Sequence, residues 1–277
     1  MILSGKNLAT KIKENIKNEV VKIVETDRIP CLVTILVGDN PASKVYVANK
    51  EKACNEVGIK NITERYPSDI TETDLIECID CFNLDPSVDG ILVQLPLPKH
   101  INAERIFNVI APEKDVDGFH PQNVANLWLH KDCIVPCTPQ GVIRLIDSIN
   151  YDLTGKNVVV IGRSNIVGLP VSKLCLDRNA TVTVCHSKTQ NLTEITKQAD
   201  VLIVAIGKPK FVTADMVKEN AVVIDVGINR DENGKLCGDV DYQNVTNASY
   251  ITPVPGGVGP MTIACLLENT LRCYRKN

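Results

Sequence analysis

Short apolar runs rich in β-branched residues alternate with segments of helical period along most of this chain, and that alternation limits its fold more than any other feature. In the first half the runs are CLVTILVG from Cys31, a shorter one at 62–66, and DGILVQL from Asp89, closed by Pro96 and Pro98. From Lys156 the pattern restarts with NVVVIG, TVTVC, DVLIVAIG and AVVIDVG. Each run has the length and continuous hydrophobicity of a strand covered on both faces, and helices between such strands predict parallel sheets. The expected fold class is therefore α/β, with two parallel-sheet domains.

Leu8, Ile12, Ile16, Val20 and Ile23 recur at helical spacing, so the chain should open with an amphipathic helix. Further helices are expected over 43–57, 72–82 and 259–275, with a turn at Asp39, Asn40 and Pro41. Residues 112–136 show little periodicity, and the crossing between domains is placed there. CTPQGVIRLIDSI follows as a helix, with Thr138 expected as its N-cap and Pro139 at its first position. NRDENGK carries turn signals, and no repeat or low-complexity segment occurs.

Composition narrows the functional classes. A net charge of -3 with 44% hydrophobic and 23% charged residues is that of a folded chain without the basic field that nucleic acid requires. Lysines interrupt the first twenty residues and no run could span a bilayer, so no membrane association and a cytoplasmic location are expected. The eleven cysteines are scattered, and reduced, mostly buried thiols are expected. Cys78 with Cys81, and His130 with Cys133 and Cys137, lack the remaining ligands of a zinc site, so no metal is expected.

NVVVIGRSNIVGLPVSKLCL has the strand, glycine turn and helix of a dinucleotide site. Gly162 permits the tight turn, and a helix starting near Gly168 could aim free N–H groups at a pyrophosphate. Ser164 stands where a second glycine is usual and Gly168 comes one residue late, so the pattern alone fits an ordinary strand-to-helix turn equally well. The next strand ends in Cys185, His186, Ser187, Lys188 and Thr189, with no carboxylate to repel a 2'-phosphate. Arg163, Ser187 and Lys188 could bind one, which favours NADP over NAD; the plainer alternative makes Arg163 and Lys188 solvated cations.

SKVYVANKEKAC places Ser43, Tyr46 and Lys50 at i, i+3 and i+7, on one side of a helix. Spacing alone is met as well by a packing tyrosine and a solvated lysine. Gln94, at the end of its strand, could reach Lys50 and orient the amine without holding it charged. A free lysine titrates near pH 10.4, so a lysine base needs such help or desolvation. DVDG adds Asp115 and Asp117, either turn residues before Gly118 or carboxylates suited to an aminopyrimidine edge. TPVPGGVGPMT makes a rigid entry to the last helix, with Thr252 and Pro253 in a turn and a cis bond at Pro253 or Pro255 left open.

With SKVYVANKEKAC, DGILVQLPLP, EKDVDGFHP, PCTPQGV, VVVIGRSNIVGLPVS and PVPGGVGPMT, the chain resembles the tetrahydrofolate dehydrogenase/cyclohydrolase family along nearly its full length. The resemblance implies a folate-binding catalytic domain of residues 1–119 plus 254–277, to which the C-terminal helix returns. It implies a Rossmann-type NADP domain of residues 120–253 and a homodimer built through the NADP domains. By the same likeness Lys50 is the catalytic lysine, Tyr46 stacks on the folate, Gln94 tunes the lysine and Asp117 holds the pterin. Pro255 and Gly256 join these as substrate contacts, and Gly162, Arg163, Ser164, Ser187 and Ile228 contact the cofactor. The implied activity is NADP-dependent oxidation of 5,10-methylenetetrahydrofolate to the methenyl form, then hydrolysis to 10-formyltetrahydrofolate. That is one-carbon metabolism feeding purine, histidine and methionine synthesis. The alternatives are a relative keeping one of the two activities, and a non-catalytic nucleotide-sensing α/β protein.

Overall fold

The computed structural model describes residues 1–276. The chain divides into two compact units, one of Lys11–Cys137 with Leu266–Asn277, the other of Met1–Thr10 with Thr138–Cys265.

The first unit is built on a three-stranded parallel sheet and is called the three-stranded unit here. Helix α1 (Gly5–Ile23) buries Ile12, Ile16 and Val20 of the stripe that its spacing predicts, and leaves Leu8 and Ile23 at its ends partly exposed. Strand β1 (Cys31–Val37) is buried throughout, as the central strand of a sheet covered on both faces must be. Helix α2 (Pro41–Val57) starts two residues earlier than expected. Asn40 Oδ1 accepts from the N–H groups of Ala42 and Ser43, and Pro41 takes the first helical turn. The residues that read as a turn are thus the helix cap, a device that contributes about 1 kcal/mol.

Next come β2 (Lys60–Tyr66), α3 (Glu72–Leu84), capped by Thr71, and β3 (Gly90–Val93), giving the sheet order β2-β1-β3. Val33, Ile35, Leu75, Ile79, Ile91 and Ile106 form the core on the α3 side. Helix α4 (Ala103–Val109) precedes the stretch read as loop, which contains a helix of its own, α5 (Pro121–Trp128). His120 Nδ1 caps α5 by accepting from Gln122 N–H. An eight-residue helix gives too few turns for periodicity to stand out.

The second, five-stranded unit begins with α6 (Cys137–Ser148). This helix starts at Cys137, so Thr138 lies inside it and is not its N-cap; its hydroxyl meets that of Thr262 instead. The four β-branched runs become β4 (Asn157–Ile161), β5 (Thr181–Cys185), β6 (Val201–Val204) and β7 (Val222–Asp225). They alternate with α7 (Gly168–Leu176) and α8 (Leu192–Thr196), and the residues of NRDENGK turn the hairpin β8 (Asn229–Arg230) to β9 (Leu236–Cys237). A two-residue strand, β10 (Tyr250–Ile251), completes a parallel sheet of order β10-β7-β6-β4-β5. Two residues carry no periodic signal, so β10 was illegible in the sequence.

The last helix, α9 (Val258–Tyr274), enters the three-stranded unit from Leu266 onward. There Asn269 Nδ2 donates to the carbonyls of Val116 and Val135, at 2.9 Å each. Tyr274 Oη donates to Asp27 at 2.6 Å, and its ring lies 5.1 Å from the guanidinium of Arg28. Arg28 in turn grips the buried Asp89 with both nitrogens. The expected two parallel-sheet α/β domains, with the last helix returning to the first, are the observed architecture.

Candidate active site and nucleotide site

In the three-stranded unit α2 lies along β1 and β2, and the chain leaving β3 passes beside it. Lys50 Nζ donates to Gln94 Oε1 at 2.9 Å. Gln94 Nε2 donates to Leu95 O at 2.7 Å, which fixes the amide so that its oxygen faces the amine. The same carbonyl receives a 3.4 Å bond from Ser43 Oγ, so Ser43, buried a turn and more before Lys50, serves to button the helix onto the turn after β3. Leu95–Pro96 is a cis peptide.

Burial pushes Lys50 below the ordinary lysine range, against the pull of the Asp117 carboxylate. Burial likewise pushes Asp117 up, with the Lys50 charge opposing it. Burial thus works against the charge of each group, and the opposite charge of the other works for it. Tyr46 stands one turn before Lys50 on α2, half-buried, its phenol pushed up by burial.

Asp115 and Asp117 do not act as a pair. Asp115 Oδ2 accepts from His120 N–H and Asn123 Nδ2, and the side chain is 2% exposed, so it is an internal brace of the segment before α5. Asp117 alone reaches the Lys50 neighbourhood, where the charges of the two groups oppose the effect of burial. Sequence spacing presents Cys137 only as a member of an incomplete metal-ligand set. Its thiol donates to Val116 O at 3.3 Å and receives a 3.4 Å bond from Asn269. Cys137 and Asn269 therefore hold the backbone that carries Asp117, and a separation of 132 residues between them gave the sequence no sign of it.

The nucleotide features lie in the five-stranded unit. Gly162, after β4, has φ +125°, and a Cβ there would fall 2.2 Å from Ala205 O, so no other residue fits the turn. Helix α7 starts at Gly168 as expected, but its first N–H groups are not free. Ser164 Oγ accepts from Val167 and Gly168 N–H at 3.2 and 3.4 Å, and Leu169 N–H donates to Ser164 O. Ser164, standing where a glycine is usual, is thus a cap. Among the described residues the N–H groups of Arg163 to Ile166 donate to no protein acceptor, so this loop, not the helix end, offers the anion-binding donors.

Cys185 O accepts from Gly162 N–H, and Ile161 pairs with Cys185 in register, which puts Arg163 and Ser187 on adjacent loops. A tight turn sets Ser187 and Lys188 outward, with His186 N–H on Thr189 Oγ1 and Lys188 N–H on His186 Nδ1. Ile228 is 44% exposed beyond the end of β7. Pro255 and Gly256 belong to this unit and not to the one carrying Lys50; Val254–Pro255 is the cis bond, and Gly256 has φ +107°. A glycine cradle, uncommitted loop N–H groups and no carboxylate at the end of β5 together suit a phosphorylated dinucleotide.

These two sites define a two-domain α/β protein of the dinucleotide-binding class, with a desolvated lysine site in its other domain. Residues 3–117 match the model of the tetrahydrofolate dehydrogenase/cyclohydrolase catalytic domain, and residues 136–277 that family's NAD(P)-binding domain. The chain belongs to this family. The "Bifunctional protein FolD" of Bacillus anthracis is 57% identical over the whole chain and 97% of that protein. A bifunctional FolD methylenetetrahydrofolate dehydrogenase/cyclohydrolase from Campylobacter jejuni is 51% identical, with TM-score 0.98 over 100% of this chain and 99% of that one. The Trypanosoma brucei dehydrogenase-cyclohydrolase, solved with NADP cofactor and an inhibitor, is 37% identical, with TM-score 0.96 over 100% and 97%.

Proposed function

We propose that the chain oxidises 5,10-methylenetetrahydrofolate to the methenyl form with NADP and hydrolyses that product to 10-formyltetrahydrofolate. The observation that carries this reading is the bond between Lys50 and Gln94, made by an amine that burial disposes to be neutral. A neutral amine can take a proton from water as it adds to the methenyl carbon and return it as the ring opens; an ammonium cannot begin that sequence. Gln94 orients the amine and stabilises its charge far less than a carboxylate would, since the amide bears no net charge.

In this reading Asp117 binds the pterin edge by accepting from adjacent N–H donors, and Tyr46 lies against the folate ring. Pro255 and Gly256 are the further substrate contacts. The functional domains are taken as residues 1–119 plus 254–277 for folate and 120–253 for NADP, bounds that differ from the compact units at residues 1–10, 120–137 and 254–265. Gly162 and Ser164 shape the loop that receives the cofactor, with Ile228 beside it, and Arg163 and Ser187 bind the 2'-phosphate. Bound NADP supplies the hydride acceptor for the first reaction. A homodimer formed through the NADP domains accords with β5, an edge strand whose Val182 and Val184 are partly exposed. The cytoplasm as its location accords with eleven cysteines that form no disulfide.

Two assays on the purified protein test the proposal: NADPH appearance with methylenetetrahydrofolate, and methenyl decay without cofactor. Both should proceed; loss of either overturns the bifunctional reading. Arg163→Ala should weaken NADP about tenfold, the worth of one charge-assisted hydrogen bond, and leave NAD nearly unchanged. Equal losses for both dinucleotides would remove Arg163 from phosphate recognition.

A further inference from the structure

We propose that Asp239 is a positioning residue for the nucleotide face, an inference that rests on the NADP reading above. Asp239 is fully buried. Its two carboxyl oxygens are met by four hydrogen-bond donors. Oδ2 accepts from the backbone N–H groups of Ile206 and Gly207 at 2.7 and 3.0 Å. Oδ1 accepts from Lys208 N–H at 2.7 Å and from Asn229 Nδ2 at 2.8 Å.

Three consecutive N–H groups of the loop after β6 therefore converge on one side chain, and the fourth donor comes from the segment after β7. Both loops leave the C-terminal edge of the parallel sheet, where α/β folds bind their ligands. The loop after β6 also touches the glycine turn, since Ala205 O is the atom that excludes a side chain at Gly162. Asn229 follows Ile228 directly. One carboxylate thus sets the distance between the Gly162 turn, the 205–208 loop and Ile228, while contacting none of the ligand itself.

A second buried carboxylate fixes the first. Asp225 ends β7; its Oδ1 accepts from Gly227 and Asp239 N–H and its Oδ2 from Val240 N–H, each at 2.9 Å. The packing leaves no room for alternatives. A Cβ at Gly227 would lie 2.3 Å from the Asp239 carboxyl carbon, and one at Gly238 would lie 1.8 Å from Asp225 Oδ2. Only a group with acceptors on both oxygens satisfies four donors, so an isosteric amide at position 239 must turn its NH2 onto two of them.

Asp239→Asn tests this. NADP affinity, read from NADPH fluorescence on binding, should fall on the order of tenfold or more, from the loss of loop order that two broken bonds bring. The KM for NADP should rise while kcat at saturation changes little. Hydrolysis of the methenyl substrate without cofactor should stay within about twofold, because Lys50, Gln94 and Asp117 lie in the other unit. Amide exchange at Ile206, Gly207 and Lys208 should accelerate. Should Asp239→Asn not fold, Asn229→Ala removes a single donor and should show the same pattern at a few-fold size. Unchanged NADP affinity in the folded variants overturns the inference, as does a parallel fall of NADP affinity and hydrolysis. Failure of the unaltered protein to bind NADP would overturn the cofactor reading first, and this inference with it.

Discussion

Lys50, partly buried, and Asp239, fully buried, are ionisable groups one in each unit, and they are partnered in opposite ways. Lys50 has one hydrogen bond to a neutral amide and an Asp117 nearby whose own charge burial disfavours. Asp239 has four donors, and its neighbour Asp225 three. Where donors are few, burial decides and the group drifts towards neutrality. Where they are many, burial is opposed but not cancelled: Asp225 still stands at about 7, raised by burial against three backbone N–H groups that pull it down. Under-partnered burial produces a chemical group, whereas saturated burial produces a brace.

The sharpest way to break this contrast is Lys50→Met. Loss of a positioned base should cut methenyl hydrolysis by about a hundred- to ten-thousand-fold, with NADP affinity unchanged. Retained hydrolysis would make Lys50 a packing residue like any other. The braced carboxylate should respond in stability instead. Asp225→Ala strands the N–H groups of Gly227, Asp239 and Val240, which should cost about 3 kcal/mol or more in chemical denaturation. A variant as stable as the parent would show that the donors find other partners and that saturation means little.

The smallest effect tests the cause of the Lys50 shift. Burial lowers its pKa, so the neutral amine, and hydrolysis with it, is lost as pH falls through that lowered value. Gln94→Glu places a carboxylate against the amine and favours its charged form. The acid limb of the hydrolysis profile should move up by about one pH unit or more. An unmoved limb would mean that another group controls it.

Much of the scaffold was legible because its signals are local. The buried stripe of α1, the continuous burial of β1 and the four runs that became β4 to β7 each follow from spacing within a dozen residues. Helix starts were less legible: Asn40 caps α2 where a turn was expected, and Thr138 lies inside α6 where a cap was expected. Caps depend on which side chain folds back onto which N–H, and several nearby residues could do so. Ser164 makes the same point, since its hydroxyl closes the helix end that the glycine pattern suggested was open.

By itself, then, the sequence determined the α/β class, the strand and helix content and the residue types available for chemistry, because hydrophobic period and backbone propensity act over a few residues. Through its six motifs it also determined the family. Only the tertiary structure decided that Gln94 meets Lys50 across 44 residues, that Cys137 and Asn269 hold Asp117 in place, and that Asp239 gathers the N–H groups of 206–208. Those contacts join segments far apart in the chain. A hydrogen bond between distant residues leaves no pattern in either one's neighbours, and whether a buried group is starved or saturated of partners depends on everything the fold brings to it.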